Sequence, residues 1–260
     1  MISIQEVPGL ADELLQVNRH MERLCRSNSP SMQKMVDWVL NARGKQIRPI
    51  LTLLCSRLKG KKVDATEVAA IIEICHTASL IHDDIIDDAD TRRGQLSVQK
   101  KFGREMAVYC GDFMIFAALG RTDLRLKPWY RGMFSRLEMM CDGEISQYDN
   151  QYNTDIKEEK YMENIVGKTS AMFSIACEAG AYEGKCDPDE IEAIDEFAKN
   201  LGFLFQIRAA GGYGYTLKKM EHFKNLAKES LEIFGDSVAR RKLTELVDYL
   251  WESTNALRME

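Results

Sequence analysis

The chain has few residues that would interrupt helices, since only 5 prolines occur among its 260 residues. Most long stretches between those prolines carry apolar residues at three- and four-residue spacing, which is typical of helices, and strand-like alternation is scarce. We therefore expect an all-α protein. Nothing in the composition marks a boundary between domains, so residues 1–260 are predicted to form a single domain.

Several kinds of partner and location are disfavoured by what is missing. The formal net charge is −5, and no basic face suited to a nucleic-acid backbone stands out. The 7 cysteines are odd in number and include no CxxC pair, which favours reduced thiols. The first residues lack the basic start and apolar core of a signal peptide, and no run is long enough to cross a bilayer. We expect a cytoplasmic protein with no nucleic-acid partner and no transmembrane segment.

The most informative run is an acidic cluster followed by two arginines, at residues 80–94 (LIHDDIIDDADTRRG). A long apolar stretch that begins at Thr66 leads into this cluster and is predicted to form one buried helix ending near Asp90. On a helix, Asp83 and Asp87 project from nearly the same face, one turn apart. The sequence therefore predicts a group of carboxylates at the charged end of a buried helix.

Crowded carboxylates repel one another and need a compensating cation. Oxygen ligands without cysteine or histidine suit Mg²⁺ better than zinc, and Mg²⁺ usually adds phosphate oxygens from a substrate. The alternative is a solvated acidic helix end, which is what most charge runs are. Basic residues favour the first interpretation, because fixed positive charges near an acidic metal site suit a polyphosphate bound from both sides. Two of them, Arg92 and Arg93, directly follow the cluster, and the others are Lys45, Arg48 and Lys168.

The DDxxD element at 83–87, with HTASLIH before it and RRG after it, resembles the first aspartate-rich motif of the trans-polyprenyl diphosphate synthases. The run 44–49 (GKQIRP) is similar to the GKxxRP element of that family. Further short motifs follow in the family's order, at 111–113 (GDF), 143–147 (GEISQ), 167–169 (GKT) and 205–206 (FQ). The resemblance implies an isoprenoid-synthase-type helical bundle around a central active-site cavity.

The resemblance also implies an activity, the head-to-tail condensation of isopentenyl diphosphate with an allylic diphosphate. The implied ligands of Mg²⁺ are Asp83, Asp84 and Asp87. The implied catalytic residues are Asp83, Asp87, Arg92 and Lys168. The allylic diphosphate would be bound by Arg92, Lys168, Thr169 and Gln206. The diphosphate of isopentenyl diphosphate would be bound by Lys45, Arg48, His76 and Arg93. A homodimer is implied as well. Taken without the family pattern, His76 would be interpreted as a packed core histidine.

Residues before the first aspartate bear on product length. In this family, the positions one and two turns earlier face the tunnel that holds the growing chain. Here these positions are the small residues Cys75, Ala78 and Ser79. We therefore expect a medium- or long-chain trans-polyprenyl diphosphate as product. The alternative is that Phe113 or Phe116, on a neighbouring helix, closes the tunnel instead.

The chain departs from the family after residue 208. The second aspartate-rich motif should follow the run 205–208 (FQIR), but the sequence continues with AAGGYGY at 209–215. Several dozen residues are therefore expected to be missing between Arg208 and Ala209. Either the printed sequence omits a segment of the protein, or the protein lacks it. Two other functions stay open, a non-catalytic partner subunit of a heteromeric prenyl synthase and a terpene cyclase.

Overall fold

The computed structural model describes residues 7–42, 44–121, 127–149, 170–210 and 215–256. Within these ranges the chain forms eleven helices and one short antiparallel ribbon, so the predicted all-α fold is confirmed. The helices are α1 (Leu10–Leu24), α2 (Pro30–Asn41), α3 (Ile47–Cys55), α4 (Thr66–Ile86), α5 (Val98–Phe102), α6 (Arg104–Gly120), α7 (Tyr130–Asp149), α8 (Ala171–Glu183), α9 (Pro188–Ala210), α10 (Tyr215–Glu229) and α11 (Val238–Ala256). The ribbon strands are β1 (Thr91–Arg92) and β2 (Gln95–Leu96).

The chain clusters into two compact units. The first unit contains residues 9–50 and 66–127, and the second contains residues 1–8, 51–65 and 128–260. The single domain expected from the sequence stays a prediction.

Helix α4 is the centre of the first unit, where it packs against both α1 and α6. Its sequence contains no glycine or proline, and its isoleucines Ile71, Ile72 and Ile74 are completely buried. Burial of each such side chain stabilises the fold by about 1.5–3 kcal/mol. The helix ends at Ile86, four residues before the predicted end. The reason is that Asp88 adopts a left-handed backbone conformation (φ 49°), which a right-handed helix cannot contain.

The second unit is built around α8 and α9, which pack against each other. Helix α7 packs on α8, and α10 and α11 pack on α9. The predicted helical character of the C-terminal stretch is confirmed, although residues 230–237 separate it into two helices. The hydroxyl of Ser237 accepts a hydrogen bond from the backbone N–H of Arg240 (3.1 Å) and so caps the start of α11. Helix α9 runs without interruption past the junction of Arg208 with Ala209.

All seven cysteines lie in the described ranges and are free thiols. Among the helices described, none combines the length and the apolar character that crossing a membrane requires.

Gly180 provides the closest approach of α8 to α3 within the second unit. A Cβ atom at this position would overlap the carbonyl oxygen of Thr52 and lie 3.0 Å from the Cβ of Cys55. We expect Gly180→Ala to lower the free energy of unfolding by about 1–3 kcal/mol, measured by urea denaturation. Gly120 is the matched control, since nothing lies within 4 Å of a Cβ placed there. Gly120→Ala should leave stability unchanged or raise it by up to about 1 kcal/mol. Equal stabilities for the two variants would contradict this packing.

Candidate active site

Four polar side chains lie on one face of α4, the last of them on the residue that follows its end. Glu73, His76, Asp83 and Asp87 are separated by 3, 7 and 4 residues, and these spacings return to nearly the same direction on a helix. Most of the remaining residues of α4 are buried, and the majority of these are apolar. The face therefore extends about 20 Å along the helix. Arg48 and Arg93, from other parts of the first unit, lie beside its amino end at His76 and Glu73, and carboxylates lie at its carboxyl end.

The acidic end contains the carboxylates predicted to bind a metal ion. Asp83 is half-buried and Asp87 is exposed. The N–H of Asp87 still donates a helical hydrogen bond to the carbonyl oxygen of Asp83 (2.8 Å), so the two residues are one turn apart as predicted. The described residues contain no group of three or more histidine, cysteine, aspartate or glutamate side chains already gathered as metal ligands.

Asp84 is paired with Arg92 rather than directed to solvent. Its side chain is only 4% exposed, and it accepts a hydrogen bond from Nε of Arg92 (2.8 Å) and a second from Nη2. The pKa of Arg92 is raised, first by this hydrogen bond and also by the charges of Asp83 and Asp87. The pair therefore fixes Arg92 next to the acidic end of α4.

A tight turn separates the two arginines that follow the acidic cluster. Strands β1 and β2 pair with Arg92 opposite Gln95, and the two turn residues Arg93 and Gly94 have φ values of 52° and 79°. Two-residue hairpin turns with both positions left-handed match the twist of the strands, and glycine adopts this conformation at little cost. The indole N–H of Trp38 in α2 donates to the carbonyl oxygen of Leu96 (3.0 Å) and holds the ribbon in place.

The cationic cluster consists of Arg48, His76 and Arg93, together with the buried Glu73. Nη1 of Arg48 lies 2.8 Å from Nε2 of His76. Since a guanidinium can only donate, the histidine nitrogen is the acceptor and its imidazole is neutral. Burial, followed by the charges of Arg48 and Arg93, lowers the pKa of His76 well below its usual value. Burial also lowers the pKa of Arg48 to about 10, which leaves it charged at neutral pH.

Arg93 lies against the glycine that begins the GKQIRP run. A Cβ atom on Gly44 would come within 2.8 Å of the Arg93 guanidinium. Nη1 of Arg93 donates to the carbonyl oxygen of Ala42 (3.0 Å), and Nη2 lies 3.8 Å from a carboxylate oxygen of Glu73. Lys45, the next residue of the run, is exposed. The structure therefore brings Arg48, His76 and Arg93 together, with Lys45 adjacent in sequence.

Two features of this region were not predicted as site residues. Glu73 carried a signal, because it is an acidic residue inside an apolar helical run, three residues before His76. Gly111, in the GDF run of α6, lies against the ring of His82, and an added Cβ would overlap that imidazole. Nε2 of His82 is 3.3 Å from the carboxylate of Asp112, so GDF also has a packing role in the first unit.

Three predicted residues are not found beside the polar face of α4 among the described residues. Lys168 and Thr169 lie outside the described residues. Gln206 is half-buried on α9 in the second unit.

The residues proposed to set product length precede the acidic end on α4. Cys75 and Ala78 are buried, and the hydroxyl of the half-buried Ser79 donates to the carbonyl oxygen of His76 (2.8 Å). Phe113 is half-buried on α6, whereas Phe116 is 70% exposed. Because the Phe116 side chain is mostly exposed to solvent, its position does not support the alternative that it closes the product tunnel. The role of all these residues in product length stays a prediction.

The neutral state of His76 predicts a pH dependence of stability. An unfolded histidine takes up a proton near pH 6.5, but His76 in the folded protein resists protonation. Below pH 6.5 the unfolded state therefore binds more protons, and folding stability falls by about 1 kcal/mol per pH unit from this group. In His76→Gln, the amide oxygen can still accept from Arg48 but does not titrate. Urea denaturation between pH 7 and 5 should show a smaller loss in the variant. The same loss in both proteins would contradict a neutral, buried His76.

Comparison with known proteins shows extended similarity. A family model described as polyprenyl synthetase matches residues 29–209. The octaprenyl diphosphate synthase of Escherichia coli K12 is 31% identical over 199 residues, which cover 76% of this chain and 62% of that protein. A short chain isoprenyl diphosphate synthase of Methanothermobacter thermautotrophicus is 34% identical over 211 residues, covering 78% of this chain and 63% of that protein.

Similarity in fold extends to solved structures. A polyprenyl synthase from Caulobacter crescentus CB15, complexed with calcium and isoprenyl diphosphate, has a TM-score of 0.85 and 22% identity over 93% of this chain and 94% of that one. The chain spans between about half and two thirds of the length of the curated relatives it matches.

Proposed function

The chain belongs to the polyprenyl synthetase family, and on that premise we propose that it joins isopentenyl diphosphate head to tail to an allylic diphosphate. The observation that carries the proposal is the polar face of α4, which has carboxylates at its carboxyl end and the cationic cluster beside His76, two turns earlier. A reaction between two diphosphate substrates needs two diphosphate-binding sites. One site binds the diphosphate that leaves, and the other binds the diphosphate that stays on the product. Metal and fixed cations are the two usual ways in which proteins bind diphosphate.

Asp83 and Asp87, with support from Asp84, are the residues that would hold Mg²⁺. Their hard carboxylate oxygens suit this ion, which is commonly bound by one or two carboxylates together with substrate phosphates. The lack of a gathered group of three acidic ligands in the described residues fits that mode better than an all-protein cage. Mg²⁺ bound there would neutralise charge on the leaving diphosphate.

The remaining proposed steps use the protein's own side chains. The oxygens of the allylic diphosphate would accept hydrogen bonds while its C–O bond ionises, and the donors would be Arg92, Lys168, Thr169 and Gln206. Isopentenyl diphosphate would be held so that its double bond attacks the allylic carbon, and the residues that bind its diphosphate would be Lys45, Arg48, His76 and Arg93. The proton then lost from the new chain goes to the departing diphosphate. Apolar walls keep water from the cation.

We propose a medium- or long-chain product. The support is the small size of Cys75, Ala78 and Ser79 on α4, together with the similarity to an octaprenyl diphosphate synthase. A short chain synthase is similarly related, so a product stopped earlier is the competing outcome.

We also propose a homodimer in the cytoplasm. Helix α6 supports the dimer, since it exposes a stripe of Met106, Tyr109 and Phe116 that a second copy of the chain would cover. The cytoplasm is supported by the seven free thiols.

Two observations favour a second candidate, a non-catalytic partner subunit of a heteromeric prenyl synthase. The chain matches only about half to two thirds of its relatives' length, and the second aspartate-rich motif expected after Arg208 is absent from its sequence. A subunit of this kind would bind a diphosphate but would not condense two of them.

Turnover by the purified chain distinguishes the two candidates. The protein is incubated with Mg²⁺, farnesyl diphosphate and radiolabelled isopentenyl diphosphate, and the products are separated by chromatography. Products several isoprene units longer than farnesyl, absent when EDTA is added, are the expected result. Binding of isopentenyl diphosphate without turnover would favour the partner subunit, and neither binding nor turnover would overturn both.

A further inference from the structure

Glu73 is an acidic residue in the interior of the first unit. It is 4% exposed, lies in the apolar half of α4, and is one turn before His76. A buried carboxylate is costly unless it has a partner of opposite charge. Arg93 is such a partner, since its Nη2 lies 3.8 Å from Oε1 of Glu73.

The charge of Glu73 acts on both guanidiniums of the cationic cluster. Burial raises the pKa of Glu73, and the charges of Arg48 and Arg93 oppose that rise. In return, the Glu73 charge opposes the effect of burial on Arg48. Two guanidiniums and one carboxylate leave one net positive charge among the three groups. Glu73 therefore offsets the repulsion between the arginines and still leaves a surplus that attracts an anion.

Arg93 is held from three sides. Its guanidinium donates a hydrogen bond to the carbonyl oxygen of Ala42 (3.0 Å) and pairs with the carboxylate of Glu73 (3.8 Å). It also packs against Gly44 so closely that a Cβ atom there would come within 2.8 Å of it. A small cavity of about 20 Å³ adjoins the Arg93 guanidinium and is also lined by Thr77.

We propose that Glu73 is a positioning residue, which holds the guanidiniums of Arg48 and Arg93 in the arrangement that receives the diphosphate of isopentenyl diphosphate. This inference rests on the proposed function. Glu73 does not act as a base, because its carboxylate is enclosed beside two guanidiniums and is directed away from solvent. It acts on the substrate through the arginines alone.

The test compares three substitutions on α4. Glu73→Gln removes the charge and keeps the shape, and Glu73→Asp keeps the charge on a shorter side chain. Glu67→Gln is the matched control, since Glu67 lies on the same helix in an exposed ion pair with Arg23. Binding of isopentenyl diphosphate is measured by calorimetry, and KM for each substrate and kcat are measured by turnover.

Glu73→Gln is expected to raise Kd and KM for isopentenyl diphosphate by about tenfold, as loss of a supporting side chain typically does. The KM for farnesyl diphosphate should change by less than about twofold, and Glu73→Asp should recover part of the loss. Glu67→Gln should match the unsubstituted chain. Gly44→Ala, whose added Cβ would crowd the Arg93 guanidinium, should weaken the same binding without lowering the melting temperature.

An unchanged Kd for isopentenyl diphosphate in both Glu73→Gln and Gly44→Ala would overturn the inference. Equal losses for the two substrates would also overturn it, because a merely structural role predicts that pattern. If the unsubstituted chain binds no isopentenyl diphosphate, the proposed function itself fails.

Discussion

Replacement of Asp87 with asparagine is expected to slow prenyl transfer by about a hundred- to a thousandfold. The substitution keeps the shape of the side chain but removes the charge that Mg²⁺ requires of its oxygen ligands. Asp87 is exposed, and its backbone N–H donates a hydrogen bond in the last turn of α4 that the substitution keeps, so we expect folding to be unaffected. Single-turnover rates at saturating substrate measure the effect.

Asp88 provides the control for this experiment. It is also exposed, adjoins Asp87, and has a left-handed backbone conformation that asparagine tolerates well. Asp88→Asn should stay within about twofold of the unsubstituted chain, since its side chain is not a proposed metal ligand. A similar loss in both variants would mean that the acidic cluster acts as a diffuse charge rather than through particular ligands.

Replacement of Arg48 with glutamine is expected to weaken binding of isopentenyl diphosphate by about a hundredfold. Arg48 would contribute a charged hydrogen bond to the diphosphate, and it also sets the neutral tautomer of His76 through their 2.8 Å contact. The KM for farnesyl diphosphate should remain nearly constant, because the allylic diphosphate is assigned to other residues. Calorimetry with isopentenyl diphosphate and steady-state kinetics measure the two quantities.

Arg23→Gln is the matched control for Arg48. Arg23 is exposed on α1 and is paired with Glu67, outside the cationic cluster. Its removal should leave the affinity for isopentenyl diphosphate unchanged. Unaltered affinity in Arg48→Gln, or an equal loss in Arg23→Gln, would show that the cationic cluster does not bind this substrate.

Much of the fold could be predicted because helical periodicity is a local property of the sequence. The apolar run from Thr66 predicted α4, and the one-turn separation of Asp83 and Asp87 followed from helix geometry. The end of α4 was placed too late, because the conformation of Asp88 is determined by the turn that leads into the ribbon. Charge patterns alone do not reveal such a turn.

The pairing of charges could not be predicted from sequence. Arg92 and Arg93 are neighbours, yet the hairpin turn directs one to Asp84 and the other to Glu73 and Gly44. Glu73 was missed for the same reason. Arg48 lies 25 residues before it along the chain and Arg93 lies 20 residues after it, and the packing of the first unit brings them together.

The central claim is that α4 presents two separate diphosphate sites, of which one depends on metal. Calorimetry on the unsubstituted chain tests this claim, with isopentenyl diphosphate in one series and a non-reactive thio analogue of farnesyl diphosphate in the other. Each series is measured with Mg²⁺ and with EDTA. We expect EDTA to leave the affinity for isopentenyl diphosphate within about twofold and to weaken the allylic analogue by about a hundredfold or more. Equal dependence of both ligands on Mg²⁺, or no dependence of either, would contradict the claim.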